Sequence, residues 1–199
     1  MRLAATMELF AYWNALRGAR RAPERNDIDP GAIRGVLADT FILDFDAAAG
    51  FPMRISGSRA NALFLRELRG SSFLELWRDG DREDMREILF SVADDAQPFL
   101  IGARAQPPGF AAVDVEAMLL PLRHHGQTHA RVLGLCAVHA TPRWSGLAAA
   151  GPLTILSLRA LDRRTSERVS RGETPPRLAQ SSARPVRRGH LFVYSRDNP

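Results

Sequence analysis

Two stretches late in the chain, residues 111–122 and 130–140, begin as alternating strands and then lose the alternation. Val113-Asp114-Val115-Glu116 keeps its apolar side chains on one face, but Met118-Leu119-Leu120 and Val132-Leu133-Gly134-Leu135-Cys136 leave neither face polar. Successive side chains of a strand point to opposite sides, so a strand apolar at both parities must be covered on both. This chain therefore needs two covering layers for one sheet.

One layer is readable in the middle of the sequence. Residues 58–68 carry Leu63, Phe64 and Leu68 at helical spacing before Gly70, and residues 72–77 allow a turn or two. Residues 81–93 form the clearest helix. Met85, Ile88, Leu89 and Val92 make one stripe, and Asp81 and Asp84 sit at the N-terminal end, where the helix dipole favours them. The other layer is an amphipathic helix over residues 6–17, with Leu9, Tyr12, Trp13 and Leu16 at i, i+3, i+4 and i+7 and Gly18 as its stop. That stripe covers the sheet of its own chain or docks on a partner or a second copy.

Between the layers, Asp29-Pro30 predicts a short helix that turns Ile33, Val36 and Leu37 inward and stops near Asp39. Phe41, Leu43 and Phe45 then alternate with Asp44 and Asp46, and Phe51, Met53 and Ile55 with Arg54 and Ser56, which predicts a hairpin with Asp44 opposite Arg54. A further strand covers residues 99–106; residues 153–161 fit helix or strand. The expected organisation is an N-terminal helix and linker over 1–25, a folded domain over 26–161 and a basic, largely disordered tail over 162–199. The tail's closing HLFVY could add a short strand.

Composition narrows the chemistry. All 27 basic side chains are arginine, so Schiff-base catalysis and a phosphate-loop lysine are excluded. A single cysteine excludes a disulfide framework. The net charge of +5 is uneven: residues 1–160 hold 18 Arg against 18 acids, residues 161–199 hold 9 against 4. The fold is neutral, so a nucleic-acid partner is not expected of it; arginine-tail association with nucleic acid or a membrane surface is the alternative reading. No apolar run reaches the roughly 18 residues of a membrane span.

The order of elements resembles a PAS domain, a five-stranded antiparallel sheet with helices over one face. YWNALRGARRAPERNDIDP, MRISGSRANALFLRELRGSSFLEL and LLPLRHHG followed by RVLG resemble an alphaproteobacterial PAS-like family of unassigned ligand. The resemblance covers residues 8–160 and implies an α+β fold and a cytoplasmic, non-enzymatic sensory or regulatory module. Such a module binds a small ligand, a signalling partner or a second copy of itself, and no cofactor is implied. Where the family pattern places glycine, this chain has Leu65.

The candidate pocket set is Arg54, Gly57, Phe73, Trp77, Leu120, Arg131 and Cys136; Arg54, Gly57, Trp77 and Arg131 are matched by the resemblance. Leu9, Tyr12, Trp13 and Leu16 are the candidate dimer or partner surface. His124, His125 and His129 at a hairpin tip have metal-like spacing but read as a solvated loop, and His139 as a strand end. Cys136 reads as core packing. Arg17, Arg20, Arg25, Asp27 and Asp29 read as an Arg–Asp lattice that fixes the N-terminal helix, with anion recognition as the other option. Asp94-Asp95 and Glu83-Asp84 read as solvated helix ends rather than acid–base pairs. No catalytic motif is present.

Overall fold

A computed structural model describes residues 3–161, 186–188 and 191–193. Its elements are helix α1 (Ala4–Arg17), strands β1 (Thr40–Asp44) and β2 (Met53–Ser56), helices α2 (Ser58–Phe64) and α3 (Arg82–Asp94), then β3 (Phe99–Ala105), β4 (Val113–His124), β5 (Gln127–Val138) and β6 (Thr154–Ala160). Two three-residue strands follow, β7 (Val186–Arg188) and β8 (Leu191–Val193). They form one sheet in the order β2-β1-β5-β4-β3-β6-β8-β7. The five strands from β2 to β3 are the expected antiparallel set. β6 settles the ambiguous segment as a strand antiparallel to β3, and β8 runs parallel to β6. The remaining residues of the basic tail lie outside the described ones.

The strands that lose their alternation are the centre of the sheet, and each parity has its own core. On one face Ala117, Leu119, Val132 and Cys136 pack under α2, α3 and the segment between them. On the other, Met118, Leu120, Leu133 and Leu135 pack under Leu9, Phe10 and Trp13 of α1. The second cover is thus supplied in cis. Its two ends are pinned by polar bonds: Thr6 Oγ1 donates to Glu116 Oε2 at 2.7 Å, and Trp13 Nε1 donates to the Pro121 carbonyl at 2.9 Å.

The buried line of α1 is Thr6, Leu9, Phe10 and Trp13. Tyr12 and Leu16, expected in that line, are only half-buried. A threonine can join it because its single hydroxyl hydrogen has acceptors in reach, the Glu116 carboxylate and the Leu3 carbonyl. This rotates the buried face by a residue relative to the apolar stripe.

Three local expectations are corrected. Residues 30–36 form turns and Leu37–Asp39 a 3-10 helix, not an α-helix: the Asp29 carboxylate does accept the Gly31 N–H at 2.8 Å as a cap would, but Gly31 and Gly35 inside so short a segment disfavour helical backbone. Ile33 and Val36 are buried as expected, whereas Leu37 is exposed. In the hairpin, the register runs Ile42↔Ile55 and then Leu43↔Met53, so Arg54 is an extra residue in a bulge. The bulge flips the parity, which leaves Met53 in the core and Ile55 exposed.

The third correction is the end of α2. It stops at Phe64 because Leu65 adopts φ 49° and ψ 34°, the left-handed conformation of a helix-terminating glycine. The Asn61 carboxamide oxygen then captures the Leu68 N–H at 3.2 Å. A leucine in that conformation costs roughly 1–2 kcal/mol relative to right-handed backbone. Leu65 is exposed, so its side chain returns little of that cost. Leu65→Gly is therefore expected to stabilise the protein by roughly 1 kcal/mol, read as a rise in the thermal midpoint; an unchanged or lower midpoint would refute the strain.

Candidate functional site

Phe73, Trp77 and Cys136 come together at a small cavity on the α2 side of the sheet. Phe41 and Met53 of the hairpin, Ala60 and Phe64 of α2, and Ala117 of β4 complete its wall with Leu68, Leu76 and Leu153. The free space is about 10 Å³, the size of a single water-sized sphere. Among the described residues no charged side chain borders it. Phe41, Phe73 and Trp77 form a chain of ring contacts, with centroids 5.4 and 5.8 Å apart.

The position of Phe41 depends on a glycine that sequence reasoning passed over. A Cβ at Gly134 would lie 2.0 Å from the Phe41 ring, so only glycine lets that ring lie flat on β5. The available signal was a glycine inside an apolar strand, a mark of close approach.

Trp77 is buried to 1% exposure and its indole N–H has no acceptor among the described residues. The chain's other two tryptophans are equally buried, and both are bonded: Trp13 to Pro121, and Trp144 Nε1 to the Ala111 carbonyl at 3.1 Å. Cys136 stands opposite Ala117 in the register between β4 and β5. Burial, and then the nearby Asp39 carboxylate, push its thiol up to about 12. At neutral pH it is an uncharged packing group, not a nucleophile.

The other predicted pocket residues lie elsewhere. Leu120 has the opposite parity and belongs to the α1 core. Arg54 and Arg131 flank Asp44, with guanidinium–carboxylate separations of 3.8 and 2.8 Å, in an ion-pair cluster at the end of β1. The expected Asp44–Arg54 pair is thus displaced: the bulge takes Arg54 out of register, and the residue opposite Asp44, Arg131 on β5, makes the close contact. Gly57 caps α2 and faces the backbone of residues 37–38.

Of the expected Arg–Asp lattice, the structure shows the pair Arg20–Asp27, while the Asp29 carboxylate bonds Gly31 in its own turn. Arg20 pairs with Asp27 at 2.9 Å and donates to the Leu16 carbonyl, and Arg17 lies over the Trp13 ring at 5.3 Å. The Asp29 N–H donates to the Tyr12 hydroxyl at 2.7 Å, and Arg123 pairs with Glu24, which ties the linker to β4. Arg25 lies in the 3-10 turn Arg25–Asp27. His124 and His125 lie side by side at the β4–β5 tip, rings 4.2 Å apart, and His139 is exposed beyond β5. Among the described residues no three His, Cys, Asp or Glu side chains converge as metal ligands, and no helix is long and apolar enough to cross a membrane.

Among solved structures, the chain is similar to the PAS domain of an HTR-like protein from Haloarcula marismortui. The two are 19% identical over 54% of this chain and 89% of that one, with a TM-score of 0.40. A PAS domain from Colwellia psychrerythraea is 16% identical over 55% of this chain and 97% of that one, with a TM-score of 0.40. A LOV protein from Rhodobacter sphaeroides is 11% identical over 57% and 70%, with a TM-score of 0.41. No curated protein matches. The family described as PAS domain matches residues 1–137, a span that takes in α1, both faces of the central strands and most of the cavity wall. With that much of its 199 residues matched, the chain belongs to the PAS domain family.

Proposed function

We propose that this sensory PAS module is non-enzymatic and works by binding. A small molecule occupies the cavity under Trp77, and its presence is passed through the sheet to α1, from which a protein partner or a second copy reads it. The observation that carries this reading is a one-residue step in the central strands. Ala117 and Cys136 are register partners on the cavity wall, and the adjacent partners Met118 and Leu135 lie under α1. Close-packed interiors transmit displacement, so a wall pushed on one face moves the bed of α1 on the other. The apolar wall and the neutral thiol of Cys136 support a binding role over catalysis. Tyr12 and Leu16, half-buried on α1, are the surface offered to a partner.

Native mass spectrometry of the purified chain is expected to show a retained small molecule. Ala117→Leu, which fills the cavity from the sheet, is expected to abolish retention and to change amide exchange in α1 several-fold. Equal retention by the variant would place binding elsewhere. Unchanged exchange in α1 would sink the relay.

A further inference from the structure

We infer that the outer edge of β6 is a strand-pairing surface for a second copy of this chain, and that the chain's own β8 occupies it and holds the copies apart. The inference is independent of the cavity reading. It starts from the sheet order, in which β6 and β8 extend the sheet beyond β3 with residues outside the span that the family matches.

The backbone fixes which groups of β6 face outward. The Leu161 N–H donates to the Pro98 carbonyl at 2.8 Å, one step beyond the register pair Phe99↔Ala160. Direction alternates along an antiparallel strand, so Ser157 and Arg159 turn their backbone groups toward β3, while Leu158 and Ala160 turn theirs away. The first part of the outer edge is closed. The Leu153 N–H donates to the Leu76 carbonyl at 2.7 Å, and the Leu153 carbonyl accepts the Arg78 N–H at 3.0 Å. The Asp81 carboxylate accepts the Ile155 N–H, also at 3.0 Å. Over residues 156–160 the outer pairing among the described residues is with β8, at one position, Leu158↔Val193. On the inner side, β3 pairs along β6 from Phe99↔Ala160 to Arg104↔Thr154. A strand edge with open backbone groups is a template for another strand, and proteins keep such edges covered.

A second copy fits the open stretch. A two-fold axis at Leu158 sets two β6 strands antiparallel, with Leu158 opposite Leu158, Ser157 opposite Arg159 and Leu156 opposite Ala160. No like charges meet in that register. It also gives an apolar neighbour to Leu156, which the β3–β6 bulge sets out of register and which is 49% exposed on its own chain. The outward N–H and C=O of Leu158 serve β8 or the second copy, so the two states exclude each other. β8 holds the edge in the full chain because residues 162–185 tether it to β6, at an effective concentration that a separate molecule has to exceed.

The test breaks β8 in the full chain with Val193→Pro, at the residue that pairs with β6 on one side and β7 on the other. Proline is not tolerated in a strand flanked on both sides, and the substitution leaves the net charge unchanged. In sedimentation, Val193→Pro is expected to self-associate at least about 10-fold more tightly than the parent. Association through α1 is common to both chains and cancels in the comparison. Protection of the Leu158 and Ala160 amides from exchange should rise with protein concentration in the variant and stay constant in the parent. Adding Ala160→Pro removes an outward N–H at an edge position, where proline is accepted, and should return association to the parent's level. Should that double variant fold poorly, the concentration dependence of Leu158 protection in Val193→Pro decides alone. Equal association of Val193→Pro and the parent would overturn the inference, as would tighter association that leaves exchange at Leu158 and Ala160 unchanged.

Discussion

Gly57→Ala is expected to cost roughly 3 kcal/mol or more, a large part of a small domain's stability. A Cβ at this position would lie 2.4 Å from the Ala38 carbonyl oxygen and 2.6 Å from that of Leu37. Both atoms are backbone, so no side-chain rotation relieves the clash. The glycine cannot retreat either, since its N–H is bonded to the Thr40 carbonyl at 2.8 Å and its own carbonyl accepts the Asn61 N–H at 3.0 Å, in the first turn of α2. The substitution thus forces β1 and α2 apart and opens the Phe41 end of the cavity. Gly80→Ala is the control, because a Cβ there meets nothing within 4 Å and should change stability by under about 0.5 kcal/mol. Urea midpoints decide the matter: a Gly57→Ala midpoint level with that of Gly80→Ala would show that the approach is not tight.

Gly57 also shows what the sequence made legible and what it hid. Its importance was readable from the motif it sits in, but its role was not. A glycine that allows two backbones to touch and one that borders a ligand look alike until a partner such as Ala38 is known. The need for two covers, by contrast, followed from the central strands alone, because side-chain parity in a strand is a local property. Leu120 was misplaced for the converse reason: its parity assigns it to a face, but only the placement of α1 and α2 says which face holds the cavity. Ile55 was misplaced because the bulge at Arg54 inserts a residue, and no local pattern marks that insertion. Leu65 was flagged by the family's glycine, and the left-handed backbone there supplies the reason. The indole of Trp77, unpartnered among the described residues, had no sequence signal, since an orphaned donor is defined by what fails to reach it from distant segments.

Trp13→Ala is the other large effect, expected at about 4 kcal/mol. Trp13 is among the largest fully buried side chains, and stacking on Phe10 at 6.0 Å makes the two rings one plate over β4 and β5. The substitution removes that plate's centre, leaves the Pro121 carbonyl without its indole donor and takes away the surface on which Arg17 rests. Its consequence reaches beyond stability, because the bed beneath consists of Met118, Leu120, Leu133 and Leu135. An apolar sheet face of that kind does not stay open to water; it recruits another surface. The variant is therefore expected to self-associate more strongly than the parent in sedimentation, as well as to unfold at lower urea. If α1 were instead an element held in place by a partner, the same substitution would weaken association. The direction of the change in oligomeric state thus separates a lid that covers its own sheet from a helix that joins two chains.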